Sequence, residues 1–286
     1  MNDLILQGPT LDAAALDTFK VACMPERIAV RGKSARCTGV ADDAETRRVV
    51  AGLADYWKLD AAFVAPDLRL SDFRLLAMDM DSTLINIESL DEVAALAGKG
   101  EQVAAITEAA MRGEIKDYAA SLRKRVALLE GVDAGLLQRV LDDRLRLNAG
   151  AEALVAACKR AGLATLLVTG GFTFFTDVMR ARLGFDHVRA NVLGIADGRL
   201  TGEVSGPDGG AILDAEGKAQ AVREVCAALG CETARTIAIG DGANDLRMMA
   251  VAGLSVAYRA KPVVRAQARQ ALNHAPLDGV LHWFRD

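Results

Sequence analysis

Leu75-Leu76-Ala77-Met78-Asp79-Met80-Asp81-Ser82-Thr83 runs an apolar segment into two carboxylates and two hydroxyls. The apolar part predicts a buried strand over 73–78. In extended chain, residues i and i+2 project to the same side, so Asp79 and Asp81 can face one ligand. They stand at the carboxyl end of the strand, where parallel sheets keep their sites. Alone the pair is weak evidence, because aspartates after strands commonly form turns or cap helices. What the rest of the chain brings to the same place decides its meaning.

Further along, strands are expected over 164–169, 236–240 and 254–257, with amphipathic helices between them, notably 151–160 and 218–229. Such alternation predicts an α/β fold with a Rossmann-like, mostly parallel sheet. Residues 87–147 break it with an almost wholly helical pattern, read as a small helical cap over the mouth of the sheet. A short hairpin is expected over 188–204, with Asp197-Gly198 as its turn. Upstream, residues 1–70 read βαββαβ, an α+β ferredoxin-like domain with Thr10 or Asp12 capping its first helix. Pro66 and the polar stretch 67–72 mark the boundary to a larger domain over 73–286.

Composition narrows the function. A net charge of −4 with no basic patch argues against nucleic acid. An anionic substrate would need locally placed cations. No run is long enough for a membrane helix, and the start lacks the basic flank of a signal peptide. The cysteines, 5 in all with no Cys-x-x-Cys pair, suit buried thiols in a reducing cytoplasm. His187, His274 and His282 have no triad spacing to a serine or cysteine, which sets serine-hydrolase chemistry aside.

More strand ends carry chemistry. Gly240-Asp241-Gly242-Ala243-Asn244-Asp245 crowds oxygen ligands into one glycine loop, where they would repel one another without a cation; hard oxygens suit Mg²⁺. Thr169-Gly170-Gly171 offers a hydroxyl and backbone N–H groups that can approach an anion. Lys218 opens a helix after Gly209-Gly210. Together these supply a nucleophile, an acid/base, a metal site and cations for phosphoryl oxygens.

In this order the motifs resemble the haloacid dehalogenase superfamily, and within it the phosphoserine phosphatase family. Asp79-Met80-Asp81-Ser82-Thr83 matches the superfamily's Asp-x-Asp-x-Thr signature, Thr169-Gly170-Gly171 its second motif, Lys218 its third and 240–245 its fourth. Thr169 departs from the commoner serine but keeps the hydroxyl. The resemblance covers 73–286. It implies Asp79 as covalent nucleophile and Asp81 as general acid and base. It also implies Mg²⁺ held by Asp79, the Asp81 backbone carbonyl and Asp241. Lys218, Thr169, Gly170 and Gly171 would hold phosphoryl oxygens, with Asn244 and Asp245 orienting them or the metal's waters.

For the cap, the resemblance implies Glu88 on the ammonium and Arg125, in Ser121-Leu122-Arg123-Lys124-Arg125, on the carboxylate of O-phosphoserine. Arg suits a carboxylate through its planar two-donor fork. Met111 and Tyr118 match apolar positions enclosing the serine side. Residues 1–70 resemble the small regulatory, ACT-like domains that precede some of these enzymes, which leaves open a homodimer contact, amino-acid sensing or a passive role. Two other readings stand beside hydrolysis: phosphotransfer to an amino-acid hydroxyl such as homoserine, and a non-catalytic amino-acid sensor.

Overall fold

The structure is a computed structural model that describes residues 1–111, 114–115 and 117–285. Its N-terminal part follows the expected order: β1 (Asn2–Gln7), α1 (Ala13–Cys23), β2 (Arg27–Arg31), β3 (Ser34–Val40), α2 (Ala44–Trp57), β4 (Asp60–Val64). The strands form an antiparallel sheet in the order β2-β3-β1-β4. Asp12 caps α1 by accepting the Ala15 N–H at 2.9 Å, and Asp43 caps α2 through Thr46 at 2.8 Å. Period-2 alternation splits β1 between two cores. Leu4 and Leu6 pack with Phe19, Val50 and Phe63 under the helices, while Ile5 joins a larger core with Ala62, Val64, Leu277, Val280 and Trp283.

The sheet's second face is therefore fastened to the far end of the chain. Asp60, buried, accepts backbone N–H groups from Asn273, His274 and Ala275 at 2.6, 3.0 and 2.7 Å. Arg36 donates to Asp3 and to the carbonyls of His282, Trp283 and Phe284. The polar stretch before β5 holds one short turn, Leu70–Asp72.

The remaining elements are β5 (Leu75–Met78), α3 (Ser89–Leu96), α4 (Gly100–Met111), α5 (Tyr118–Ala127), α6 (Gly135–Arg139), α7 (Ala151–Arg160), β6 (Ala164–Phe172) and α8 (Thr173–Leu183). They continue with β7 (His187–Ala196), β8 (Arg199–Ser205), α9 (Ala215–Ala228), β9 (Thr236–Gly240), α10 (Leu246–Val251), β10 (Leu254–Tyr258), α11 (Pro262–Arg265) and β11 (Gln270–Leu272). The sheet order is β11-β10-β9-β5-β6-β7-β8, parallel except for the β7–β8 hairpin. β5 and β9 are buried throughout, as a parallel sheet covered on both faces requires. Leu75 and Ala77 face α9 and α10; Leu76 and Met78 face the core that contains α7 and α8.

Some sequence expectations shift, and one strand was not foreseen. The strand expected over 73–78 begins at Leu75. The helix expected to open at Lys218 begins at Ala215, capped by Asp214, so Lys218 lies in its first turn. β11, three residues with two only half-buried, carries too little apolar pattern to be seen. Helices α3–α6 fill the expected cap, and its two ends meet where Ile85 bridges Leu147. Among the described residues no helix is long and apolar enough to cross a membrane.

Candidate active site

The sheet order sets β5 between β9 and β6, so the loops carrying Asp79, Asp241 and Thr169 open at one end. After β5 the backbone makes a tight helical turn over Met80–Leu84, with Ser82 in the left-handed region at φ 55°. Asn148 Nδ2 holds the turn by donating to the carbonyls of Thr83 and Ile85 at 2.8 and 3.0 Å.

Lys218 is 1% exposed and sits between two carboxylates: its Nζ lies 2.8 Å from Asp79 Oδ1 and 2.7 Å from Asp245 Oδ1. Burial alone would lower its pKa, but Asp245 and Asp79 outweigh burial and raise it, so the ammonium is permanent. Asp79 is pushed up to about 8, first by burial and then by the Asp245 charge, against the pull of Lys218. Asp81 is raised well above the carboxylate range by burial, with Glu88 and Asp79 adding to it. Its Oδ2 accepts the Ser89 hydroxyl at 2.9 Å, and its buried Oδ1 has no partner among the described residues. Burial of this kind favours the protonated form of the carboxyl, and its second oxygen is free to face a ligand.

Asp241 accepts the Thr83 hydroxyl at 3.0 Å and is pushed up to about 6, by burial and then by Asp245. Asp79, Asp241 and Asp245 each offer an oxygen within 4.8 Å of the others, a donor set for one hard cation. Asp245 is already committed. One oxygen takes Lys218, the other accepts the N–H groups of Asp241 and Gly242 at 3.1 and 3.0 Å. Asp79 and Asp241 are thus the freer ligands. The Asp81 carboxylate lies outside this group, consistent with the backbone carbonyl as its expected contribution.

On the other flank, Thr169 is buried and its hydroxyl oxygen accepts the Gly171 N–H at 2.9 Å, leaving the hydroxyl proton to donate. A side chain at Gly171 would crowd the site: a Cβ there would lie 3.2 Å from Asp81 Oδ2 and 3.0 Å from Met80 Cε, so both would have to give way. Gly170 is fixed through Asn191, which donates to its carbonyl at 2.8 Å and accepts the Leu213 N–H.

A cavity of about 640 Å³ lies between these loops and the cap, and Asn244 lines it beside Asp241. From the cap come Glu88, Tyr118 and Arg125. Glu88 accepts the Ser82 hydroxyl at 2.7 Å, and Arg125 Nε is buried with no partner among the described residues. Met111 ends α4, but its side chain lies outside the described residues. The expected residues therefore meet in one place. Sequence reasoning missed Thr83, although it stands inside the quoted signature, and it missed Ser89, Asn148 and Asn191. Lys261 also lines the cavity.

Comparison with known proteins identifies the family. Residues 76–250 match the family model of haloacid dehalogenase-like hydrolases. A phosphoserine phosphatase of Polaromonas sp. (strain JS666 / ATCC BAA-500) is 59% identical over 216 residues, covering 76% of this chain and 92% of the relative. The solved structure of a probable phosphoserine phosphatase from Vibrio cholerae, unliganded, is 35% identical with a TM-score of 0.83, covering 99% of this chain and 86% of its own. A phospho-aspartyl intermediate analogue of a phosphoserine phosphatase is 34% identical with a TM-score of 0.67, over 74% of this chain and 99% of its own.

Proposed function

The chain belongs to the haloacid dehalogenase-like hydrolases, and from that premise we propose that it hydrolyses O-phosphoserine to serine and phosphate through a phospho-aspartate, the closing step of serine biosynthesis. The observation that carries this reading is the joint between floor and cap. Asp79, backed by Lys218, and Asp81, whose pKa burial raises, line a cavity whose cap side offers Glu88 and the unpartnered Nε of Arg125.

Asp79, which Lys218 and a cation at the Asp79–Asp241 site would hold ionised against its raised pKa, attacks phosphorus as the carboxylate, and the serine oxygen leaves with the proton of Asp81. Asp81, now ionised, takes a proton from the water that cleaves the aspartyl-phosphate, which restores Asp79. Lys218 and Thr169 hold phosphoryl oxygens, with the loop at Gly170 and Gly171 and with Asn244. Mg²⁺ fits the hard oxygens of Asp79 and Asp241 and the Asp81 carbonyl, where it would offset the repulsion between carboxylate and phosphate dianion. Thr83 and Asp245 keep those ligands in place. In chelator, phosphate release should disappear and return on addition of Mg²⁺, and Asp241→Ala should shift the metal requirement by at least about ten-fold. Full turnover in chelator would exclude the metal.

Substrate identity is tested by selectivity. Arg125→Ala removes a charge-assisted contact and should lower kcat/KM for phosphoserine by roughly ten- to a hundred-fold, while sparing an aryl phosphate. Glu88→Gln should act the same way more mildly. A phosphate-release panel that finds both esters equally affected would remove serine from the reading. Residues 1–70 form an accessory unit in this reading, for which a homodimer contact, amino-acid sensing or a passive role remain open, and the free cysteines suit a cytoplasmic enzyme.

A further inference from the structure

Helix α5 turns one stripe toward the cavity: Tyr118, Ser121, Leu122 and Arg125, spaced i, i+3, i+4 and i+7. Seven residues of helix rise about 10 Å, so the stripe has two distinct ends. Arg125 stands at one, near enough to Asp91 for its charge and that of Glu88 to act on that carboxyl in opposite directions. Tyr118 stands at the other. Its sequence position suggests an apolar wall, yet it is the hydroxyl oxygen that reaches the floor: a Cβ placed on Gly170 would collide with it. The phenol lies in the field of Lys218, Arg125, Asp79 and Asp81, and burial raises its pKa, so it remains a neutral O–H donor. Among the described residues no protein group accepts that proton.

We propose that the Tyr118 hydroxyl donates a hydrogen bond to a phosphoryl oxygen of the bound phosphomonoester. α5 then holds both ends of the substrate, the phosphate with Tyr118 and the carboxylate with Arg125. The assignment rests on reading the cavity as a phosphomonoester site and adds a donor to it from the cap. A phosphate lodged against Thr169, Gly170 and Gly171 would meet the hydroxyl at Gly170, whereas a donor at this point is out of place for the amino-acid end. Because the donor belongs to the cap, binding of phosphate alone would draw the cap toward the floor.

Tyr118→Phe deletes one oxygen and keeps the ring. Its kcat/KM should fall about 3- to 10-fold for phosphoserine and by the same factor for p-nitrophenyl phosphate. Inhibition by inorganic phosphate should weaken in step. That uniform loss differs from Arg125→Ala, which spares the aryl ester. Gly170→Ala gives an independent reading of the contact: its cost should be smaller in the Tyr118→Phe background, where the colliding oxygen is gone, than in the parent. Folded Tyr118→Phe protein with parental activity on both esters, or with a loss confined to phosphoserine, overturns the assignment. A parent chain that hydrolyses neither ester overturns the phosphatase reading and this assignment with it.

Discussion

Asp79→Asn should reduce phosphate release by at least about a thousand-fold, because the amide cannot form the acyl-phosphate and an enzyme that loses its nucleophile keeps only the residual catalysis of its binding groups. The substitution is nearly isosteric at a position that is 4% exposed. Its amide oxygen can still accept from Lys218, and loss of a charge that Asp245 and Asp241 raise by repulsion relieves the floor. The variant should therefore fold at least as well as the parent, which separates lost chemistry from lost structure. Mass spectrometry after substrate addition with rapid acid quench should find a phosphate on the peptide of residues 75–84 in the parent and none in the variant. Near-parental turnover by the Asp79→Asn protein would remove the covalent route.

The second large effect lies at Lys218. Lys218→Met keeps the volume but leaves Asp79 and Asp245 facing each other in a buried site with no counterion. Removing one partner of a buried ion pair costs about 3–5 kcal/mol, and loss of a cation aimed at the phosphoryl group costs at least about a hundred-fold in rate. Urea unfolding in chelator reads the first, phosphate release with excess Mg²⁺ the second. The sign with pH is fixed: the folded pKa of Lys218 is raised, so its contribution is full below the ordinary lysine value of 10.5 and fades only above it. Because the folded pKa of Asp79 is about 8 with Lys218 present and would rise without it, the stability loss should be at least as large at pH 8 as at pH 6. A Lys218→Met protein that unfolds with the parent at both would mean that the two carboxylates need no cation.

Much of this site was legible because each group sits in a short local pattern at the end of an apolar strand: Asp79 and Asp81 after β5, Thr169 within β6, Asp241 after β9. Strand ends in a parallel sheet converge, so local patterns suffice to place them together. The residues that hold these groups were not legible. Asn148 reaches Thr83 and Ile85 across more than sixty positions, at |i−j| of 65 and 63. Ser89 is an ordinary first residue of a helix until the fold sets its hydroxyl against Asp81. Tyr118 reads as apolar enclosure because a sequence gives the ring but not the direction of its oxygen. The ferredoxin-like order of residues 1–70 was clear from its own alternation. Nothing local in it indicates that Asp60 and Arg36 bind backbone more than two hundred positions away, at |i−j| of 213 and 246.

That long reach has a consequence for synthesis. The face of the first sheet bearing Ile5, Ala62 and Val64 packs with Leu277, Val280 and Trp283, and Asp60 beside it binds the backbone of 273–275, segments that leave the ribosome long after the sheet itself. At about 5–20 residues per second, the intervening stretch takes on the order of 10–40 s to emerge. Throughout that interval a βαββαβ unit that had already formed would display an apolar face, ringed by the Asp3–Arg36 pair and by Asp60 without its backbone partners. Those charges act as gatekeepers for the nascent chain. Charges so placed would disfavour adhesion of the waiting face to a neighbour on the same polysome, and Arg36 and Asp60 take up the backbone of residues 273–284 only when that segment arrives.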